Sequence, residues 1–520
     1  MPGDSRFRVA LIADAHFHDP FGDFGLGVDL GRGRMAVRPW TEVQTAARAV
    51  NEAAAALTAA LDRILAAGVR HVVLAGDYTD DGQHETTRRL AALLARYAAL
   101  GLRFYAIPGN HDLYGPHGKH TSTRLVTAAG QSVLVSSDPD MEGALLTPAM
   151  RCGGMPDALL AMAAHGLFRD ARDLHWESPF GPSDAPHARM YLAHAADGSV
   201  SQPLMDASYL VEPDAGLWLL MIDANVFEPR PGRHDATRKK AFIDPTDAGW
   251  NAVLRVKPHL LPWIADVTAR AGALGKTLIP VSHYPVLDPF QDAAGSEVAL
   301  FGQTSFARRT PGPAVAKALI AAGVRFHAGG HLHVKAVTRQ GGLTDVALPS
   351  LVSCPPGFGI VTALGTDVAL ETLSLADLPP DPDLTALYAA EGRTGPGRPY
   401  GAFLETQFRA RLHRRMTRDW PADVLAATQG RTLADLVGML GGQGGDATPL
   451  EQVIADACLL REAGDLAGLA PDRMARLRAI AVFGDAAADP RASVAAFLRR
   501  FLSVLQVSLS RVELTGAKAG

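Results

Sequence analysis

Five short apolar runs in this chain each lead into histidine, aspartate or asparagine, and this repeated pattern limits the folds open to the sequence. The runs are RVALIAD, HVVLAGD, RFYAIPG, TLIPVSH and VRFHAGG, and LWLLMIDAN and DVALPS are further apolar runs of the same length class. Their length and their β-branched and aromatic residues predict buried β-strands. Stretches rich in Ala, Leu and Arg alternate with them, so the chain is predicted to have an α/β fold.

The polar residues after these runs share one expected location. Open α/β sheets place ligands and catalytic groups at the carboxyl ends of their strands. The residues are Asp14, His16, Asp77, Asn110, His111, His283, His331 and His333. Residues two apart on an extended strand share a face, which predicts that Asp14 and His16 point to the same side; the same holds for the two histidines of GHLH. Oxygen and nitrogen ligands of these kinds suit divalent transition metals.

Composition narrows the class of protein. A length of 520 residues favours more than one domain. The formal net charge of -4 creates no field that would gather a polyanion, so duplex nucleic acid is not an expected partner. The chain has 3 cysteines, which suits a reducing compartment. No secretory signal core and no membrane-spanning run of about 18 apolar residues is visible, so we expect a cytoplasmic protein without a membrane span.

The chain is predicted to divide into residues 1–376, a segment 377–402 rich in Pro and Gly that acts as a linker or wrapping segment, and a helical region 403–520. Within the first part, residues 115 to about 205 are poorly periodic, which is typical of an insertion, and we expect a lid there. In the last part, apolar residues recur at spacings of three and four: Val494, Phe497, Leu498, Phe501, Leu505 and Leu509. Such a face is typical of core or subunit packing, so these helices are the candidate surface of a homo-oligomer.

The ordered motifs DAH, GD, GNHD, SH and GHLH resemble the calcineurin-like metallophosphoesterase superfamily, whose motifs are DxH, GD, GNH[DE], H and GHxH. The resemblance covers roughly residues 8–370. It implies a sandwich of two mixed β-sheets flanked by helices, with the insertion and the helical C-terminal region added to it. It also implies two divalent or trivalent transition-metal ions, and Mn, Fe, Zn, Co and Ni are all compatible with these ligands.

The resemblance also implies a role for each residue. Asp14, His16 and His333 would bind one metal ion, Asn110, His283 and His331 the other, and Asp77 would bridge them. A hydroxide held between the ions would be the nucleophile, and His111 would be the general acid, oriented by Asp112. The candidates for substrate contact are His18, His117, His120 and Arg38, together with Arg32 and Arg34 of the same loop as Arg38. For each of these the alternative is a solvated loop residue.

Missing residues indicate the substrate class. Purple acid phosphatases resemble GDxxY, and Asp80 stands at the position of that tyrosine. Protein Ser/Thr phosphatases resemble GDxxDRG, and Asp81 stands at the position of the arginine that grips phosphate. A phosphodiester carries less charge than a monoester and requires less cationic pairing, so we expect a phosphodiesterase acting on a small phosphoester. The alternatives are a phosphomonoesterase or nucleotidase and, from another class, a non-catalytic metal-binding scaffold.

Overall fold

The computed structural model describes residues 6–26, 28–29, 34–127, 130–392 and 398–516. Its strands are β1 (Phe7–Ile12), β2 (Val28–Asp29), β3 (Arg34–Met35), β4 (His71–Ala75), β5 (Arg103–Ile107), β6 (Ser122–Val126), β7 (Ser132–Ser136), β8 (Leu145–Leu146), β9 (His175–Glu177), β10 (Met190–His194), β11 (Ser201–Met205), β12 (Tyr209–Glu212), β13 (Leu217–Ile222), β14 (Thr277–Ser282), β15 (Phe326–Gly329), β16 (Ala336–Gln340), β17 (Leu343–Ala347), β18 (Gly357–Leu364) and β19 (Asp367–Ser374). Its α-helices are α1 (Trp40–Val43), α2 (Ala53–Ala66), α3 (His84–Ala99), α4 (Asp157–Leu160), α5 (Pro245–Val256), α6 (Leu260–Ala273), α7 (Ser296–Phe301), α8 (Ser305–Arg309), α9 (Pro313–Ala321), α10 (Pro382–Ala390), α11 (Tyr400–Asp419), α12 (Ala422–Thr428), α13 (Leu433–Met439), α14 (Leu450–Ala463), α15 (Pro471–Ala481) and α16 (Val494–Gly516).

Two mixed sheets form the centre of the first part of the chain. The first has the order β19-β18-β1-β4-β5, with β1, β4 and β5 parallel. The second has the order β16-β17-β15-β14-β13-β12-β9 and is antiparallel at both edges. Residues of both sheets, such as Val73 and Leu219, belong to one hydrophobic cluster. The predicted α/β fold with two mixed sheets is therefore confirmed.

The central strands are apolar throughout because they are covered on both faces. Every residue of β4 and of β13 is buried. Strands of this kind lie between helices and the opposite sheet, so their sequences are continuously apolar instead of alternating. The helix α2 supplies part of this cover through Leu57, Leu61 and Ile64, which are buried at spacings of four and three. All seven apolar runs of the sequence contain strands at the predicted places.

The C-terminal region is helical, as predicted, and has a second hydrophobic cluster built mainly from residues between Phe408 and Leu509. The apolar face of α16 is part of it, since Phe497, Leu498 and Leu505 are buried there. That face packs within the chain, and a homo-oligomer formed through the C-terminal helices stays a prediction. Among the described residues, no helix combines the length and the apolar character that crossing a membrane requires.

The segment 115–205 contains more regular structure than its sequence pattern indicates. It includes the small sheet β6-β7-β8 and the hairpin β10-β11, and β9 pairs with β12 at the edge of the second main sheet. The segment 377–402 contains α10, whose Leu384 and Tyr388 are buried in the main cluster. It therefore wraps onto the first part of the chain, whereas the domain boundaries and the lid stay predictions.

Candidate metal centre

The polar residues after β1, β4, β14 and β15 meet at one end of the two sheets. Their ligand atoms form three overlapping groups, each within 4.8 Å: Asp14, His16 and His333; Asp77, His283 and His331; and His16, Asp77 and His111. Asn110 completes the set, because its Oδ1 lies 3.2 Å from Nε2 of His283. The structure thus brings together all seven residues expected to bind metal.

Asp77 lies between the two main groups. Its Oδ2 is 3.3 Å from Nε2 of His283 and 3.8 Å from Nε2 of His16. Burial would lower the pKa of His283, but the charge and hydrogen bond of Asp77 outweigh burial and raise it to about 9. Asp14 and Asp77 are themselves almost fully buried, at 0 % and 2 % exposure. Buried carboxylates need cationic partners, so the electrostatics fit a cation site at this position.

Hydrogen bonds on the outer side of two rings direct their inner nitrogens into the cluster. Nδ1 of His283 lies 3.1 Å from the carbonyl oxygen of Ala75, which can only accept, so Nδ1 carries the proton. The Ser353 hydroxyl donates to the carbonyl oxygen of Ala47 at 2.9 Å and therefore accepts from Nδ1 of His333 at 2.7 Å. When either ring is neutral, this network leaves the lone pair on Nε2, the form in which a histidine binds metal.

The backbone that presents these residues differs from the predicted one. The strand β1 ends at Ile12, before Asp14 and His16. Five ligand candidates have positive φ: Asp14 at 51°, His16 at 40°, Asp77 at 47°, His331 at 71° and His333 at 55°. Asp14 and His16 do face the same site, as predicted, but strand alternation is the wrong reason for it. Left-handed loop residues direct these side chains, a strained arrangement that typically clusters at functional sites.

Two glycines allow the loops to approach the carboxylates. A Cβ atom at Gly109 would collide with the side chain of Asp77, and one at Gly330 would collide with that of Asp14. Any larger residue at either position would displace a carboxylate of the cluster.

His111 lies at the rim of the cluster with 21 % of its side chain exposed. Its backbone N–H donates to Oδ1 of Asp77 at 2.7 Å. Its Nδ1 lies 2.9 Å from the carbonyl oxygen of Asp80 and 2.8 Å from Oδ1 of Asp81. Both oxygens accept, so Nδ1 carries the proton and Nε2 is the nitrogen available to a substrate.

Asp112 does not have the predicted position beside the His111 ring. Its carboxylate accepts from the backbone N–H groups of Thr79 at 2.8 Å and Gly109 at 2.9 Å, and from the Thr79 hydroxyl at 2.7 Å. Asp112 therefore braces the loops that carry Asp77 and Asn110. Burial, followed by the charge of Asp77, raises the pKa of Asp112 to about 7.

Asp81 is the carboxylate that contacts the imidazole of His111. Burial would raise the pKa of Asp81, but the hydrogen bond and charge of His111 and the charge of Arg48 outweigh burial and hold it below its usual range. Sequence comparison noted Asp81 only because it replaces an arginine. Its contact with His111 depends on how two loops about thirty residues apart meet, which no local pattern indicates.

Among the described residues, no hydrogen bond or ring contact joins the predicted substrate histidines to the ligand candidates. His18 is buried, with Nε2 bonded to the carbonyl oxygen of Ala36 at 2.9 Å and its ring stacked on Phe24 at 5.8 Å. This is a packing role, which corrects the prediction. His117 is exposed, and His120 is exposed beside Arg151 at 3.0 Å. These two positions match the alternative of solvated loop residues.

The arginines of the loop after β1 that were candidates for substrate contact have different outcomes. Arg38 pairs with the buried Asp80 at the edge of the site. Arg32 lies outside the described residues, as does the side chain of Arg34. The arginine that reaches the cluster is Arg48, which the sequence did not single out because it lies in an alanine-rich stretch. Its Nη1 is 3.0 Å from Nδ1 of His16 and 3.0 Å from Nε2 of His111.

The part of the chain that carries the motifs DAH, GD and GNHD matches the model of a known family. The family model of the calcineurin-like phosphoesterases matches residues 7–135, which confirms the resemblance predicted from the motifs. This range includes Asp14, His16, Asp77, Asn110 and His111. A search of the curated proteins found no match.

Several solved structures are similar to the chain. A dimetal phosphatase from Danio rerio is 14 % identical, with 71 % of this chain and 98 % of that chain covered and a TM-score of 0.36. A putative 5'-nucleotidase from Staphylococcus aureus is 12 % identical, with 87 % and 72 % covered and a TM-score of 0.35. A purple acid phosphatase from yellow lupin (Lupinus luteus) is 11 % identical, with 76 % and 54 % covered and a TM-score of 0.33.

Proposed function

We propose that this chain is a metal-dependent phosphoester hydrolase that binds two transition-metal ions. The observation that carries the proposal is the convergence of seven nitrogen and oxygen ligand candidates on one buried cluster with Asp77 between its two halves. Asp14, His16 and His333 would hold one ion, and Asn110, His283 and His331 the other. When bound, such a pair of ions acidifies a water molecule and neutralises phosphoryl oxygens.

The chain's own residues supply the proton transfer. In its doubly protonated form, His111 would donate the proton on Nε2 to the departing oxygen and keep the proton on Nδ1, which is held by the carbonyl oxygen of Asp80 and the carboxylate of Asp81. The bond from the backbone N–H of His111 to Asp77 ties this ring to the metal-binding loop. The proton donor and the ligand cluster would thus keep one relative position during turnover.

The ester class depends on cations near the phosphoryl group. The sequence favours a phosphodiesterase because no arginine stands at position 81, and that class stays a prediction. Arg48 supports the alternative, a phosphomonoesterase or nucleotidase, because it brings a guanidinium group to the cluster from another part of the chain. The non-catalytic scaffold is disfavoured because the full ligand set converges.

The first prediction tests hydrolysis with the Mn-loaded protein on bis-nitrophenyl phosphate, nitrophenyl phosphate and an alkyl phosphate. We expect hydrolysis by the wild-type protein and a fall in turnover of roughly 100-fold or more for His111→Ala, with metal content retained. The loss should be smaller for nitrophenyl than for alkyl leaving groups, because nitrophenolate departs without protonation. Absence of hydrolysis and of bound metal in the wild-type protein would refute the proposed function, whereas bound metal without hydrolysis would favour the non-catalytic metal-binding scaffold.

A further inference from the structure

Arg48 lies on a short loop between α1 and α2 that reaches into the metal centre. Its Nη1 lies against the ring of the proposed proton donor, at 3.0 Å from both ring nitrogens of His111 and 3.0 Å from Nδ1 of His16. A phosphoryl group placed between the ligand cluster and Nε2 of His111 would come within contact distance of this guanidinium. Only 16 % of the Arg48 side chain is exposed, so the group is held in the site and does not extend into solvent.

A fully buried carboxylate orients the guanidinium. Oδ1 of Asp80 lies 3.2 Å from Nη2 of Arg48, and its other oxygen pairs with Arg38. Asp80 has 0 % exposure, which makes its position fixed relative to the cluster. Asp80 attracts Nη2 as an ion pair without a hydrogen bond, while Nη1 of Arg48 lies against His111 and His16.

Helix α11 of the C-terminal region holds the loop in place. Three of its side chains donate to three carbonyl oxygens of the loop: Gln407 to Val43 at 2.9 Å, Arg414 to Thr45 at 3.2 Å and Arg411 to Ala47 at 3.1 Å. The donors are spaced by four and three residues, so they occupy one face of the helix. A single helix face therefore binds alternate carbonyl groups of the segment that precedes Arg48.

The residues on either side of Arg48 are also held by the loop after β17. The carbonyl oxygen of Ala47 accepts from Ser353 at 2.9 Å, and the N–H of Ala49 donates to the carbonyl oxygen of Val352 at 2.8 Å. Ser353 is the residue that also contacts His333. The backbone around Arg48 is thereby connected both to α11 and to a ligand candidate.

We propose that Arg48 binds the phosphoryl oxygens of the substrate, that the residues Gln407, Arg411 and Arg414 position it, and that the substrate is a phosphate monoester dianion. This inference rests on the proposed function and adds the substrate class to it. Because Nη2 is paired with Asp80, Nη1 is the group that can donate to a phosphoryl oxygen, and the charge of the guanidinium favours a dianion over the monoanion of a diester. The helical region would then be part of the substrate site although it contributes none of the ligand candidates.

The test compares nitrophenyl phosphate with bis-nitrophenyl phosphate for each variant, with metal content and melting temperature measured in parallel. For Arg48→Ala we expect kcat/KM on the monoester to fall about 10-fold or more relative to the diester, with metal content unchanged. Arg48→Lys keeps the charge but not the planar guanidinium, so its fall in kcat/KM on the monoester should be smaller than that of Arg48→Ala. Inhibition by inorganic phosphate should be weakened more by Arg48→Ala than by Arg48→Lys.

The positioning role is tested with the triple variant Gln407→Ala, Arg411→Ala and Arg414→Ala. It should lower the monoester preference in the same direction, and adding Arg48→Ala to it should cause little further change. Arg418→Ala is the matched control on the same helix, because Arg418 is 74 % exposed and pairs only with its neighbour Asp419 among the ion pairs of the described residues. This control should behave as the wild-type protein does.

Several results would overturn the inference. If Arg48→Ala lowers kcat/KM equally on the two esters, Arg48 has a structural role. If it leaves kcat/KM unchanged, Arg48 does not contact the substrate. A triple variant with wild-type kinetics would show that α11 does not position Arg48. These failures are distinct from failure of the proposed function, in which the wild-type protein itself neither binds metal nor hydrolyses either ester.

Discussion

Asp81→Asn is the substitution that best separates the chemistry of His111 from the structure around it. In the wild-type protein Oδ1 of Asp81 accepts a hydrogen bond from Nδ1 of His111 at 2.8 Å. An asparagine side chain has nearly the same shape, but it lacks the charge and can present an N–H donor to Nδ1 instead. The substitution therefore removes the partner of the protonated imidazole while leaving the metal ligands in place.

The expected loss follows from the hydrogen bond that is changed. Hydrogen bonds to charged groups contribute about 1.5 to 3 kcal/mol, and the side chains of Asp81 and His111 are 25 % and 21 % exposed. Partial exposure places the value at the lower end, about 1.5 to 2 kcal/mol, which corresponds to about 10- to 30-fold in kcat. The loss should be greater for alkyl than for nitrophenyl esters, because only the former need the proton.

A double-mutant cycle on the Mn-loaded enzyme measures this. In the background of His111→Ala, adding Asp81→Asn should reduce kcat by no more than about 2-fold, because the two residues act through one proton. Metal content serves as the control in all four proteins. If Asp81→Asn lowers kcat by the same factor with and without His111, then Asp81 does not act through the imidazole and the assignment is refuted.

Two further predictions concern metal binding and acid stability. Asp77→Asn should lower the metal content below the expected value of about two ions per chain and remove most turnover, because Asp77 faces both halves of the cluster. Elemental analysis measures the metal content. Full occupancy in this variant would contradict the bridging position of Asp77. Burial lowers the pKa of His165 from its ordinary value of 6.5 to about 4 in the folded chain. Between these two pH values the unfolded chain binds a proton at His165 that the folded chain does not bind. Stability should therefore be complete above about pH 6.5 and fall toward pH 4, by at most about 3 kcal/mol, and His165→Leu should flatten this dependence in urea unfolding. An unchanged pH dependence would assign acid sensitivity to other groups.

Much of the fold and of the ligand set follows from local sequence. Strands such as β4 and β13 are buried on both faces, so their composition alone marks them. The ligand candidates come within a few residues of those strand ends, where the direction of the chain is already determined by the sheet. Seven residues spread over more than 300 positions could therefore be assigned to one site before any distance was known.

Side-chain partners in loops could not be assigned in this way. Asp112 adjoins His111 in sequence, yet Asp81 contacts the ring, because the left-handed φ of Asp77 and the approach of two loops decide which carboxylate faces it. His18 looked like part of the DAH motif but packs on Phe24. Such contacts depend on the turn of each loop, and those turns are selected by the tertiary packing.

Arg48 shows most clearly the difference between what local sequence encodes and what tertiary contacts decide. The sequence by itself determined the strands, the order of the ligand motifs and the helical character of the C-terminal region, because each of these is encoded by spacing within a few residues. Only the tertiary structure decided that Arg48 lies beside His111, because its loop is held by Gln407, more than 350 residues later. Contacts at that separation form only when two folded segments meet, and their free energy comes from packing and hydrogen bonds that neither segment can make alone.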